Sequence, residues 1–513
     1  MNMLKKLKNN AHIFAVLIVA FLYVLLMNQQ NIYFTEFIHD DLFFVEKANA
    51  IISGNWLGEY NHMTLIKLPL LSLFISLAYF IKVPYLLLST VLYTLFCLYF
   101  FKVAYYIKKI PAFIAYVLLL FNPYRFIDYY NVRILRSDLN AILLVGIFAA
   151  LFHLFNCKEK NQSKILILLS ALVGMFSINR EENILLLPIL TVGIFLFFLK
   201  KGSRSAIKKT FVSIIIQIIP IVAISVINLS YYNAAIPTEF HGTWFSKSIK
   251  IIATVSSIEN IDMVPVTKET RQLLYNLSPH FQILKQKFEE NNIAFNWATN
   301  TQYITNRDPH EKEIGGDYFR WAIRDVVAQN GLYSNFRTSE NYYKELYTEI
   351  NNLCKSKKIE CNKSSMDIQK IMQNLFNTLK TTVTFMEESL YFSDPNTHMT
   401  ENITVIKKYN AVGLFNNEAQ QKSNMPILTT IAFLYQKFIF VIFIFSVILN
   451  QYSKKQYLIL GITLFSFTTF SIVSAIFGSI AYEGFSKAPL YLSTPINLFL
   501  ILTAISLFGS KRD

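Results

Sequence analysis

Long apolar blocks alternate with short polar ones along most of the chain. The apolar runs at 11–27, 84–101, 139–156, 164–178, 183–199, 210–229, 426–449, 457–479 and 487–508 each approach the ~20 residues a helix needs to cross a bilayer. Shorter runs lie at 68–81 and 110–122. The pattern predicts an all-α polytopic membrane protein. Residues 230–425 depart from it. They are mostly polar, with apolar positions at helical rather than alternating spacing, and read as a mainly helical domain outside the membrane.

Charge placement orients the runs. The 513-residue chain carries a net charge of +15, a value that could point to nucleic acid. However, 15 of its lysines and arginines sit in five short segments, at 1–10, 156–166, 200–209, 451–456 and 509–513, each flanking an apolar run. Such residues mark the cytoplasmic side, and a nucleic-acid site would gather them on one folded face. Loop 28–66 is the opposite, with Glu36, Asp40, Asp41, Glu46 and Glu59 against Lys47 alone, and is placed outside. No small-residue cleavage site follows the first apolar run, so it is read as a retained helix.

Three segments result: a transmembrane module at 1–229, the extracytoplasmic domain at 230–425, and C-terminal transmembrane helices at 426–513. Loops 28–66 and 123–138 both read as external, yet three apolar runs separate them. The run 68–81 is short and opens on Pro69, so it is taken as a partial crossing. That leaves about ten spans, near one per ~20 apolar residues.

In the polar domain, Ser278-Pro279 has the form of an N-cap followed by proline at the first helical position. Asp317–Gln329 reads as a helix closed by Asn330-Gly331, and Ser339 as the cap of a helix reaching Asn352. Cys354 and Cys361 are expected to form a disulfide if this domain lies outside the cytoplasm. A metal pair is disfavoured, because no histidine stands at ligand spacing. His241, His280, His310 and His398 stand alone. Glycine-rich phosphate loops, H-E-x-x-H and G-x-S-x-G are absent, and no motif supports a cofactor or a divalent metal.

Candidate chemistry sits in three short loops. The first carries His39-Asp40-Asp41, where one carboxylate could act as a general base on a hydroxyl; a solvated helix cap is the simpler alternative. The second runs from Asn122-Pro123-Tyr124-Arg125 to Arg133, Arg136 and Asp138. The third is Asn179-Arg180-Glu181-Glu182-Asn183. Three consecutive charges at a tight membrane turn need partners, so Arg180 is assigned either to substrate or to a pair with Asp138 or a neighbouring glutamate.

The run Asp40-Asp41-Leu42-Phe43-Phe44-Val45-Glu46-Lys47-Ala48, then Gly54-Asn55-Trp56 and Lys67-Leu68-Pro69-Leu70, resembles the first external loop of the GT-C glycosyltransferases. These include the protein O-mannosyltransferases and the lipid A aminoarabinose transferase. Phe44 replaces the family's usual tyrosine and Leu68-Pro69 its double proline. Arg136-Ser137-Asp138 matches the Arg and Asp common before a later helix of the family. The stretch Glu313–Asp325 resembles a segment of bacterial GT-C-like membrane proteins.

The resemblance implies a GT-C-like transmembrane bundle in a bacterial cytoplasmic membrane, active on its outer face. It implies a polyprenyl-phosphate sugar donor, held among membrane lipids, and a glycan acceptor. Asp40 would be the catalytic base, with Asp41 able to exchange roles. Lys67, Arg133, Arg136, Asp138, Arg180, Glu181 and Glu182 would bind donor phosphate or substrate; no nucleic acid is involved. Size, charge layout and the late external domain are similar to the serotype-converting glucosyltransferases of O-antigen, which adds glucose and lipopolysaccharide as expectations. An O-antigen polymerase or ligase, or a lipid-linked-sugar flippase, is the alternative. The first usually relies on loop arginines more than on an early acidic pair, and the second usually shows internal repeats.

Overall fold

The computed structural model describes residues 2–28, 32, 41–122, 125, 134–240, 242–256, 261, 263–361, 368–384, 426–481 and 489–509. It is all-α, with 19 α-helices among the described residues. Its apolar side chains collect into two cores: one runs through the apolar helices, the other lies within 245–359.

Five stretches are long and apolar enough to cross a membrane: Tyr85–Tyr105 (α4), Arg136–Asn156 (α6), Glu181–Leu199, Ser203–Tyr232 (α9) and Lys454–Ile476. The third is a short 3-10 turn continued by α8 (Leu186–Leu199), and the last lies within α18 (Lys454–Ala481). Shorter apolar helices accompany them, and the chain is a multi-pass membrane protein. Helix α6 is apolar all round and 94% buried along its apolar window, against 22% for α9. A helix of that kind belongs at the centre of a bundle. Accordingly α6 packs against α4, α7 (Glu159–Ser177) and α19 (Pro489–Ser506). The outward residues of α9, including Phe211, Ile219, Val222 and Val226, are exposed, as a lipid-facing helix requires.

Helices α7 and α9 meet through small and polar residues, the usual device where lipid is as apolar as leucine. The hydroxyls of Ser170 and Ser213 are 2.7 Å apart. A Cβ on Gly174 would fall 2.9 Å from the Gln217 carbonyl oxygen and 3.0 Å from Pro220 Cγ, so only glycine permits this approach.

The helices between the first two loops bear on the crossing problem. Helix α3 (Leu70–Phe80) has 11 residues, about 16 Å at 1.5 Å per residue, half of a ~30 Å hydrocarbon layer. Just before it, the Leu68 N–H donates to Glu181 Oε1 at 3.3 Å. Just after it, the Tyr85 ring at the head of α4 meets Phe74 of α3 edge to face at 5.8 Å. At 11 residues α3 is too short to cross the layer. It lies alongside α2 (Asp41–Ile52), with Ser72 Oγ donating to Phe44 O at 3.0 Å and Ser76 Oγ to Ala48 O at 3.2 Å. Helices α1 (Asn2–Asn28) and α5 (Lys109–Leu120) complete this corner against α4.

The polar domain is built from α10 (Trp244–Ile252), α11 (Lys268–Leu277), α12 (Pro279–Gln282), α13 (Ile293–Thr305), α14 (Tyr318–Gln329) and α15 (Phe336–Lys355). Ser278 caps α12, its Oγ accepting the Phe281 N–H at 3.1 Å, with Pro279 first in the helix. Helix α14 buries Phe319, Ile323, Val326 and Val327 and stops at Asn330-Gly331, where Gly331 takes φ +75°. Helix α15 starts earlier than Ser339 suggested. Asn335 caps it by accepting the Thr338 N–H at 2.9 Å, and Ser339 is buried inside the helix. Cys354 and Cys361 are joined by a disulfide, with their Cα atoms 5.6 Å apart. The clip ties the end of α15 to residues 255–256, where the Ser256 N–H donates to Glu360 O at 2.9 Å. Helix α16 (Ile368–Thr384) falls within the polar stretch of the sequence but packs on α17 (Pro426–Leu449), α18 and α19.

Candidate active site

Asp41 is the first residue of α2, and its carboxylate is fully buried. Oδ1 accepts the Ile134 N–H at 2.8 Å, which fastens the start of α2 to the segment leading into α6. Behind Asp41, Phe43 and Phe44 turn inward and meet edge to face at 5.1 Å. Cations gather on these rings. Lys67 Nζ lies 5.6 Å from the Phe43 centroid and 5.3 Å from that of Phe44. Lys47 Nζ lies 5.8 Å from Phe43, and the Arg136 guanidinium 5.8 Å from Phe44. Lys47 and Lys67 are both buried, and aromatic faces favour cations there more than at exposed sites. Burial, opposed only by the charge of Glu46, pushes the Lys47 ammonium down to about 8.

The second and third loops are bound to each other. Arg136 Nη1 donates to Glu181 Oε2 at 2.8 Å and to the Asn179 carbonyl at 3.2 Å. Asn179 Nδ2 donates to Arg136 O at 3.0 Å and to Asn140 Oδ1 at 2.9 Å. Asn183 Nδ2 reaches the same Asn140 oxygen at 2.6 Å, and Asn140 Nδ2 donates to Thr494 on α19 at 2.7 Å. Buried amides in a low-dielectric interior cost free energy unless bonded, and the amide nitrogens of Asn140, Asn179 and Asn183 are all bonded here. Arg180 pairs with Glu182. Asp138 pairs instead with Arg125, whose Nη2 stands 3.0 Å from Asp138 Oδ1. The fully buried Arg125 guanidinium lies over the Tyr93 ring at 4.2 Å.

The cluster thus holds the Asp41 carboxylate, three cations against two phenyl rings, of which Arg136 is paired with Glu181, and two further pairs, Arg180–Glu182 and Arg125–Asp138. An anionic group at that depth would find positive charge in a site with little water to screen it. Among the described residues no group of three or more His, Cys, Asp or Glu side chains is arranged to hold a metal ion.

No protein-family model matches the chain, and no curated protein sequence matches it. Solved structures with a weak likeness to the chain include the following. ArnT from Cupriavidus metallidurans bound to undecaprenyl phosphate has 11% sequence identity and a TM-score of 0.34, over 97% of this chain and 77% of that one. Its apo state has 10% identity and a TM-score of 0.34, over 98% and 78%. The apo oligosaccharyltransferase of Archaeoglobus fulgidus has 13% identity and a TM-score of 0.32, over 98% and 56%. At these TM-scores the similarity carries no functional assignment.

Of the residues singled out in the sequence, Asp41, Lys67, Arg136, Asp138, Arg180, Glu181 and Glu182 come together in this region, while Asp40 and Arg133 lie outside the described residues. Of the alternatives open for Arg180, the structure contains the pair with a neighbouring glutamate and not the pair with Asp138. Sequence reasoning passed over Arg125, Lys47 and Asn140. Arg125 stood in the quoted Asn-Pro turn, but nothing local says which arginine of a loop turns inward. Asn140 is a lone amide inside an apolar run, and that burial is its one signal.

Proposed function

We propose that the chain is a GT-C-type glycosyltransferase that moves a sugar from a polyprenyl-phosphate donor to an acceptor hydroxyl. The reaction runs at the extracytoplasmic face of a bacterial cytoplasmic membrane. What carries the reading is the joint placement of Lys47, Lys67 and Arg136 over Phe43 and Phe44, two and three residues beyond Asp41. A phosphate on a lipid tail is the anion that reaches such a site from the bilayer. The tail also accounts for a bundle of apolar helices around an enzyme site.

The step needs one base and one leaving group. Asp40 takes the proton of the acceptor hydroxyl as its oxygen attacks the anomeric carbon. The bond from that carbon to the phosphate oxygen breaks, and its electron pair leaves with polyprenyl phosphate. The configuration inverts. Lys67 stabilises the developing phosphate charge, with Lys47 and Arg136 behind it, the kind of electrostatic term that usually dominates. Asp41, bonded to Ile134, holds the start of α2. The resemblance to the serotype-converting glucosyltransferases in size, charge layout and late external domain supports a surface glycan such as O-antigen as acceptor and glucose as the sugar.

Vesicles holding the purified chain, a radiolabelled polyprenyl-phosphate glucose and a surface polysaccharide test this. Label should move to the polysaccharide, and Lys67→Ala should slow it by about 100-fold, the usual cost of one donor to a developing anion. Label that stays on the lipid with every acceptor glycan contradicts the reading.

A further inference from the structure

The stretch Glu313–Asp325 ends in a charged pair that the chemistry above does not use. Arg324 lies on α14 with its side chain fully buried. Its Nε donates to the main-chain oxygen of His62 at 2.5 Å, and its Nη2 donates to the carboxylate of Glu239. Glu239 is buried as well, and its Oε1 accepts the Tyr60 hydroxyl at 2.8 Å. The Glu239 N–H donates to Leu65 O at 2.8 Å, and Thr238 Oγ1 donates to Ile66 O at 3.2 Å. Beside Arg324, Asp325 stands 3.4 Å from His62 Nε2 and accepts the Trp297 indole N–H at 3.0 Å. Three successive anchors therefore fall on the carbonyls of His62, Leu65 and Ile66. The next residue is Lys67, and beyond it the Leu68 N–H is held by Glu181.

A buried ion pair is a poor way to gain stability, since desolvation consumes most of its attraction, but it specifies geometry well. Here the pair and its flanks grip three main-chain carbonyls as well as the Tyr60 and His62 side chains, so what they specify is the path of residues 60–66. We propose that Arg324 and Glu239 are positioning residues. They carry the polar domain's control over the membrane site by fixing where the Lys67 ammonium stands. They touch neither donor nor acceptor. The proposal rests on the reading of Lys67 as the phosphate-binding cation.

The test is a double-mutant cycle on the full chain in lipid nanodiscs, with undecaprenyl phosphate as the probe. Lys67→Ala and Arg324→Gln should each weaken binding about tenfold, the low end for residues that orient a ligand-binding group. The double variant should bind no worse than either single one, because a misplaced Lys67 and a missing Lys67 are equivalent. Hydrogen exchange should rise at 60–68 in Arg324→Gln while the α14 core stays protected. If the two losses multiply, Arg324 acts independently of Lys67 and the proposal fails. If Arg324→Gln binds as well as wild type while Lys67→Ala does not, positioning fails and the donor reading stands. If Lys67→Ala binds normally, both fall. Glu239→Gln, which keeps the side-chain volume, replaces Arg324→Gln in the cycle should the latter not fold, with the same outcomes deciding.

Discussion

The carboxylate of Asp41 accepts the main-chain N–H of Ile134 at 2.8 Å, across 93 residues of sequence. This bond joins the helix after the acidic pair to the helix that carries Arg136. Asp41→Ala leaves a buried N–H without its acceptor and should cost about 1–3 kcal/mol. Asp41→Asn keeps an acceptor oxygen and should cost less. Thermal unfolding in detergent ranks the two; equal losses would mean that the charge rather than the bond matters.

Arg136 and Glu181 are both mostly buried, so either one alone becomes a buried charge without its partner. Arg136→Met or Glu181→Leu should each destabilise the protein by about 3–5 kcal/mol, and the double variant should be more stable than either. A double variant whose loss equals the sum of the singles would show that the pair is not coupled.

His280 has Nδ1 2.5 Å from Glu349 Oε1 and Nε2 2.8 Å from Glu345 Oε2, on the capped start of α12. Burial works against the charged ring, but the Glu349 and Glu345 bonds outweigh it and raise the His280 pKa above 6.5. Burial likewise works against the Glu349 carboxylate, and bonds from Ser278 and His280 outweigh it, lowering its pKa below 4.5. The sign follows from linkage. The histidine contribution is full below its unfolded pKa and is lost as pH rises through the folded one. The glutamate contribution is full above its unfolded pKa and is lost as pH falls through the folded one. Stability from this cluster should therefore peak between 4.5 and 6.5 and decline above it. His280→Gln should remove the alkaline decline from the unfolding temperature measured against pH.

The Cys354–Cys361 clip closes a short loop, with a sequence separation of 7. In the chain-entropy account a loop of this size contributes about 2.5 kcal/mol. Reduction with a phosphine, or Cys354→Ser with Cys361→Ser, should lower the stability of the polar domain by roughly that amount. An unfolding curve unchanged by the reductant would contradict it.

The sequence was most legible where one physical demand dominates. A helix that must cross lipid needs a long apolar run, and α4, α6, α8, α9 and α18 each lie over one. The shortness of the run at 68–81 was legible too: it forms an 11-residue helix, α3, about half the length a span needs. Partner choice was harder to read. Arg125, Arg136 and Arg180 look alike in sequence, and their pairing depends on which loops the bundle brings together. The Arg324–Glu239 pair spans 85 residues, and its grip on main-chain carbonyls leaves no trace in side-chain pattern. Helix α16 was hidden for another reason: its polar face, with Thr378 and Thr382 buried, disguises a helix that packs on the bundle.

The central claim is that Asp40 removes a proton from a sugar-accepting hydroxyl. Its direct test is the exact mass of the surface polysaccharide repeat in cells making wild-type or Asp40→Asn protein at equal levels. The repeat should lose the mass of one sugar in the variant, with repeat number unchanged. A repeat that keeps its full mass in Asp40→Asn cells would contradict the account.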